Sequence, residues 1–276
     1  MRVRLFALVS ALAVFVLAAV PASASTSQPK FNPPKSFYLA LGDSLAFGYQ
    51  QYKFDANFPT ENPSLFATGY VDDFATKLQG INPAIQTINF ACPDESTVTF
   101  RSGQCPYTAF GFSLHNGYSG SQLDAALAFL HAHPGEVSPI TIDLGVNDVN
   151  VCTDPSCAVA QIHIVTVNMA SILSALRDAA PSAEIIVMQY YNPFGDPTTN
   201  SVAQALNAAL ASDTTAIRGR LADAFTPFNL APVEPGTLCA LTLICTPLHD
   251  THASDAGYLV IAQQFWAASG YSRLSG

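Results

Sequence analysis

Tyr38-Leu39-Ala40-Leu41-Gly42-Asp43-Ser44-Leu45-Ala46-Phe47-Gly48-Tyr49 is an apolar run that breaks at Gly-Asp-Ser and resumes as a helix-like segment. Uninterrupted apolar residues suit a strand buried on both faces. The glycine turn places Ser44 at the carboxyl end of that strand with its Oγ aimed out of the sheet. The first N–H groups of the following helix then face any oxyanion that develops there. Read alone, Ser44 could equally be the N-cap of that helix. What decides between the two readings is whether the rest of the chain supplies a base, an orienting acid and further oxyanion donors.

Outward from this stretch, apolar strands are expected at residues 36–41, 85–91, 139–144, 184–190 and 221–225. Helices are expected between them at 72–78, 121–131, 159–180 and 201–218, and a closing helix at 253–268. The helix at 159–180 carries the clearest stripe, through Ile162, Val165, Met169, Ile172, Leu173 and Leu176, with Pro181 just beyond its end. Residues 46–68 contain Pro59 and Pro63 among many aromatics and cannot form one regular helix. Strands alternating with helices imply a parallel sheet covered on both faces, a three-layer α/β/α fold of about five strands. In such sheets the site lies at the carboxyl ends of the strands. Ser44, Asp94 and Asn147 each follow an expected strand directly and so converge on one edge.

The chain has 276 residues. Arg2 and Arg4, the uncharged run 5–20 and Ala22-Ser23-Ala24 form the basic, apolar and small-x-small regions of a signal peptide, with cleavage expected after Ala24. Residues 25–276 are expected to be a single domain, and no later stretch is long and apolar enough to span a bilayer. Without the two leader arginines the balance is nine basic to twenty acidic residues. Nucleic acid and anionic membrane both require a basic footprint, so neither is an expected partner. The six cysteines (Cys92, Cys105, Cys152, Cys157, Cys239 and Cys245) are even in number and fall into three local pairs. Behind a signal peptide they read as disulfides 92–105, 152–157 and 239–245 in a secreted protein.

The ordered set Gly42-Asp43-Ser44-Leu45, Asn89-Phe90-Ala91-Cys92-Pro93-Asp94-Glu95-Ser96-Thr97, Gly145-Val146-Asn147-Asp148 and Asp250-Thr251-His252 followed by Gly257-Tyr258 resembles the GDSL, or SGNH, family of serine esterases and lipases. The resemblance implies the flavodoxin-like fold of those hydrolases. It also implies roles: Ser44 as nucleophile, His252 as general base and then acid, and Asp250 as the group that orients it. Its oxyanion hole would be the N–H groups of Ser44 and Asp94 and the side-chain amide of Asn147. No metal or organic cofactor is implied.

Each role has a physical reason. An unactivated serine needs a base within hydrogen-bond reach, and a neutral imidazole needs its other nitrogen held by an acceptor. Two positions depart from the family pattern. Asp94 stands where the family usually has glycine, which brings a carboxylate near the oxyanion. The position three residues before the histidine is His249, and the acid stands two residues before it. In an extended segment residues two apart share a side, so Asp250 can reach His252; His249 or a backbone carbonyl is the alternative orienting group.

Other readings attach to the same residues. Asn147 and Asp148 could be turn residues, and the 249–252 segment with Asp255 a metal site. His115, His131, His133 and His163 read as surface or internally satisfied side chains. Aromatics after the nucleophile turn, Phe47 and Tyr49 foremost, are candidates to line a substrate pocket, with the 92–120 loop as its facing wall. The expected activity is hydrolysis of a lipid acyl or simple carboxylic ester by a secreted monomer. A carbohydrate O-acetyl esterase and a non-catalytic binding protein of the same fold are the alternatives.

Overall fold

The opening stretch forms β1 (Phe37–Gly42) and, one residue later, the single-turn helix α1 (Ser44–Phe47). The computed structural model describes residues 31–59, 62–230 and 236–274; the expected signal peptide lies outside them. The chain continues through α2 (Gln51–Asn57), α3 (Tyr70–Gln79), β2 (Gln86–Asn89), α4 (Thr97–Ser102), α5 (Pro106–Ala109), α6 (Gln122–Ala132) and β3 (Val137–Asp143). After β3 come α7 (Val146–Asn150), α8 (Pro155–Ala179), β4 (Ile185–Gln189), α9 (Pro197–Ala216), β5 (Arg220–Asp223), α10 (Thr237–Leu241) and α11 (Asp255–Ser269).

All five strands are parallel, in the order β2-β1-β3-β4-β5. The strand order reverses between β1 and β3, and a crevice opens at such a switch point outside the carboxyl ends of the strands. Ser44 follows β1 and Asn147 follows β3, so the topology alone puts both at this crevice. Helices cover both faces. Adjacent residues of β1 point opposite ways: the Phe37 ring meets Phe129 of α6, while Tyr38 meets Phe74 of α3. Helix α11 packs beside α3, and α8 lies between α6 and α9.

Local chemistry explains where the boundaries differ from expectation. Helices α8 and α9 start four residues earlier than expected, at Pro155 and Pro197. In each case an aspartate, Asp154 or Asp196, caps the first N–H groups and proline takes the first helical position. Strand β3 starts before Pro139, where the register between β1 and β3 slips. The extra residue there accommodates a proline that has no N–H to give a central strand. The 46–68 segment divides into α1, α2 and a 3₁₀ turn at Pro63–Phe66, whose start is capped by Asn62. The 92–120 loop contains α4, begun by a Ser96–Thr99 capping box, and α5, begun by Pro106. Helix α8 is long and apolar enough to cross a membrane by length and composition. Its Val165, Met169, Ile172, Leu173 and Leu176 are buried in the core of this molecule.

Candidate active site

Gly42 must be glycine. Its φ is +134°, and a Cβ there would lie 2.2 Å from a carboxylate oxygen of Asp143. This turn delivers Ser44 to the first position of α1, half-buried, while Asp43 caps the helix by accepting from the Leu45 N–H at 2.9 Å. Ser44 Oγ lies 2.9 Å from His252 Nε2. On the other side of the ring, His252 Nδ1 lies 2.5 Å from Asp250 Oδ1. A carboxylate at Nδ1 holds the imidazole proton there and leaves Nε2 free to accept from the serine hydroxyl.

Asp250 is buried and fully engaged. Oδ1 also accepts from the His252 N–H at 3.0 Å, and Oδ2 from the Gln51 N–H at 2.8 Å. Burial opposes its charge, but hydrogen bonds and the charge of His252, together with these N–H groups, hold its carboxyl below the usual range. The other proposed orienting group is elsewhere. His249, in left-handed backbone, is exposed and its Nδ1 lies 3.2 Å from the Ile244 carbonyl.

The histidine loop is tied to the Ser44 turn and the residues after it at several points. Tyr258 Oη donates to the Tyr49 carbonyl at 2.7 Å, and Gln50 Nε2 donates to the Ala253 carbonyl at 3.0 Å. Tyr191 Oη donates to the Thr251 carbonyl at 2.9 Å.

Asp94 and Asn147 face the same crevice from the ends of β2 and β3. Asn147 Nδ2 donates to the Glu95 carbonyl at 2.9 Å. One amide hydrogen fixes the group and the second is left to donate elsewhere. Asp94 adopts the left-handed conformation that glycine usually fills, at φ +64°, and its side chain is exposed. The two loops are joined through Asp148, whose carboxylate accepts from the Thr97 N–H at 2.8 Å and the Thr97 hydroxyl at 2.6 Å. Asp148 is thus a clasp between loops rather than a turn residue.

Sequence reasoning missed Gln122 and Glu95, both fully buried. Gln122 accepts from the Gly42 N–H at 2.7 Å and donates to the Gly42 carbonyl and to Glu95 Oε2, both at 3.0 Å. It thereby connects the Gly42-Asp43-Ser44 turn to the Asp94 loop. Glu95 Oε1 has no partner among the described residues. Burial pushes its carboxyl up to about 7 against the hydrogen bonds that favour its charge. Neither residue has a spacing that marks it; only the folded contacts reveal them.

Beneath α1 lies a second unexpected feature, a fully buried pair of carboxyl groups, Asp43 and Asp143. Asp43 accepts from Tyr190 Oη at 2.7 Å, and Asp143 from Tyr70 Oη at 2.8 Å and the Ala46 N–H at 3.2 Å. Burial first, then the nearby Asp43 charge, pushes the Asp143 carboxyl well up. Two buried carboxyl groups this close oppose each other's ionisation.

A pocket of about 540 Å³ opens beside Ser44 and His252. Tyr49, Phe54, Phe58, Tyr107, Phe110 and Phe112 supply its rings, with Asp94, Gln51 and Pro93. Tyr49 is therefore placed where the sequence suggested, and its ring lies 5.0 Å from the His252 ring. Phe47 is not. It is buried away from the pocket, its ring packed on Phe66, Tyr107 and His115. A one-turn helix points residues 44 and 47 to different surroundings, and Phe47 falls on the core side. The 92–120 loop contributes the facing wall through Tyr107, Phe110 and Phe112.

Each of three disulfides lies next to one of the site loops. Cys92–Cys105 brackets the Asp94 loop, Cys152–Cys157 follows α7, and Cys239–Cys245 encloses Leu243, whose N–H donates to the His252 carbonyl at 2.9 Å. Asp255 belongs to no metal cluster: it accepts from Gln50 and pairs with Lys53. Among the described residues no group of three or more His, Cys, Asp or Glu side chains is placed to hold a metal ion.

The sequence profile of the GDSL-like lipase/acylhydrolase family matches residues 40–260. Among solved structures, a protein described as a GDSL-like lipase from Parabacteroides merdae superposes with a TM-score of 0.59 at 16% identity, covering 88% of this chain and 99% of that one. A lipase from a goat rumen metagenome gives 0.57 at 18% identity, over 86% and 99% of the two chains. An acetylxylan esterase from Geobacillus stearothermophilus gives 0.57 at 16%, over 87% and 97%. No curated protein matches the chain. At these identities the structural likeness is one of fold.

Proposed function

Because the chain belongs to the GDSL-like lipase/acylhydrolase family, whose members are carboxylic ester hydrolases, we propose that it is a secreted esterase working through an acyl-enzyme on Ser44. The observation that carries this reading is the unbroken line of hydrogen bonds from Ser44 Oγ through His252 to Asp250, at the mouth of a pocket.

Ser44 Oγ attacks the ester carbonyl carbon as its proton passes to His252 Nε2. The carbonyl electron pair becomes an oxyanion, met by the Ser44 and Asp94 N–H groups and the free hydrogen of the Asn147 amide. Asp250 offsets the charge on the imidazolium. Collapse of the intermediate expels the alcohol, which takes the proton from Nε2. Water then attacks the acyl-enzyme with His252 again as base, and the acid leaves as Ser44 recovers its proton.

The aromatic lining favours an apolar or aryl ester, and the pocket volume suits a small molecule or short acyl chain. A second reading has specific support. Phe58 and Phe110 are 60% and 75% exposed at the mouth, as rings that platform a sugar would be, which suits a carbohydrate O-acetyl esterase. The three disulfides support an oxidising, extracellular destination, and with it cleavage after Ala24. We take the chain as one domain from residue 25, acting as a monomer without a cofactor.

The test is hydrolysis of p-nitrophenyl acetate and butyrate by protein recovered from the medium. Ser44→Ala should lower kcat by at least about 10³-fold with an unchanged circular dichroism spectrum. Wild-type turnover in that variant would remove Ser44 from the mechanism.

A further inference from the structure

The pocket's charge distribution is one-sided. Its rings form a connected wall: Tyr49 to Phe54 at 5.9 Å, Phe54 to Phe112 at 5.2 Å, and Phe112 to Tyr107 at 4.9 Å between centroids. Apart from His252, the charged side chain lining it is Asp94. That carboxylate is exposed and has no hydrogen bond or ion pair among the described residues. The cations of the neighbouring elements are committed elsewhere: Lys53 to Asp255 and Thr68, and Arg101 to Asn168. An anionic substrate group would meet a carboxylate and no counter-charge. A cation would meet that carboxylate among the aromatic side chains that line the pocket, and an array of rings is the surface that best replaces the weak hydration of a quaternary ammonium. The left-handed backbone at Asp94 would be most easily filled by glycine, so the carboxylate stands at a position that the turn itself does not require.

Resting on the esterase reading, we propose that the pocket selects esters carrying a fixed or protonated cation a few atoms from the scissile carbonyl, choline-type esters being the simplest. The cation sits against the ring wall with Asp94 as its counter-ion, while the carbonyl is presented to Ser44.

The experiment compares kcat/KM for butyrylcholine and for 3,3-dimethylbutyl butyrate, its neutral carbon isostere, in the wild type and in Asp94→Asn. The wild type should prefer the cationic ester by about five- to thirty-fold. Asp94→Asn should bring that ratio down by about three-fold or more. Tetramethylammonium should compete with p-nitrophenyl butyrate in the wild type, a readout that needs no variant. A ratio at or below one, a ratio unaltered in Asp94→Asn, or no competition by tetramethylammonium would overturn the proposal. If p-nitrophenyl butyrate turns over and neither butyrate ester does, cation selection falls and the esterase reading stands. If no ester turns over, the esterase reading itself falls, and cation selection with it.

Discussion

Gln122 grips Gly42 from both sides, accepting from its N–H at 2.7 Å and donating to its carbonyl at 3.0 Å, although 80 residues separate them. The first helix on the far side of the site loop thus sets the turn that aims Ser44. The Gly42 carbonyl has a second donor in the Cys92 N–H; its N–H has no acceptor besides Gln122 among the described residues. Gln122→Leu keeps the volume and removes the grip, leaving one buried N–H unpaired. It should cost about 2–4 kcal/mol, or roughly 5–12 °C in Tm. Because the nucleophile turn loosens, kcat should fall about tenfold or more. A calorimetric melt and steady-state kinetics on the same preparation check both; a variant with lowered Tm and full kcat would separate the grip from catalysis.

Glu95 gives stability a pH dependence whose sign follows from its position. Its carboxyl titrates near 7 in the folded protein and near 4.5 when exposed. Between those values the folded state holds a proton that the unfolded state has released, so stability falls as pH rises through this window and is level above it. Glu95→Gln removes the titrating group and keeps an acceptor for Gln122. Its Tm should be less pH-dependent between pH 5 and 7.5, and it should exceed the wild type at pH 7.5 by the equivalent of about 1–3 kcal/mol.

The Asp43–Asp143 pair acts in the same direction. The Asp143 carboxyl is held well above the ordinary value by burial and by its partner, so its contribution also declines as pH rises above the ordinary carboxylate range. Asp143→Asn should therefore flatten the part of the loss of stability that this carboxyl causes as pH rises above the ordinary carboxylate range. Asp43→Asn, which keeps an acceptor for the Leu45 N–H but puts an NH₂ where Tyr190 Oη donates, should destabilise at every pH. Denaturant melts as a function of pH distinguish the two; parallel curves for Asp143→Asn and wild type would show that the Asp143 carboxyl is not raised in the folded state.

These features mark how far the sequence carries. The apolar runs around 36–41 and 139–144 show the sheet because a strand buried on both faces writes its burial into consecutive residues. Ser44 and Asn147 could be placed together because strand ends on one edge must meet; His252 follows no strand end and was placed by the resemblance of the Asp250-Thr251-His252 block. The Asp-Pro starts of α8 and α9 were also visible in the residues, though the apolar stripe drew the boundary four residues late. Phe47 misled because a one-turn helix has too little periodicity to say which side faces the core. Gln122, Glu95 and the Asp143 partner of Asp43 were not legible. Each works through contacts between segments distant in the chain, and a buried polar residue looks in sequence like an exposed one.

The Cys239–Cys245 bridge encloses the residue that hydrogen-bonds to His252, so its removal should reach the chemistry. Cys239→Ala with Cys245→Ala should cost about 2 kcal/mol by the loop-closure relation for so short a loop. It should also lower kcat by more than it raises KM, because the base is displaced while the ring wall stays. The matching pair at Cys152 and Cys157 is next to α7 and away from His252, so it should change Tm with little effect on kcat. Equal kinetic losses in the two double variants would mean that the bridges act only on global stability.

Asp250 is where the chain departs from its family's spacing, and a pair of variants decides its role. In Asp250→Asn an amide can present its NH₂ to His252 Nδ1. That makes Nδ1 an acceptor and moves the imidazole proton to Nε2, which then cannot take the proton of Ser44. The expected loss in kcat is on the order of 10²–10⁴-fold with KM little altered. His249→Ala should stay within about two-fold of wild type, since that ring is exposed and turned toward the Ile244 carbonyl. The folded carboxyl of Asp250 lies below its ordinary value, so its stabilising contribution is present above the unfolded pKa and is lost as pH falls through the folded one. Asp250→Asn should accordingly lose less stability than the wild type between pH 5 and 3. The reverse pattern, a silent Asp250→Asn and an inactive His249→Ala, would move the orienting role one residue back along the chain.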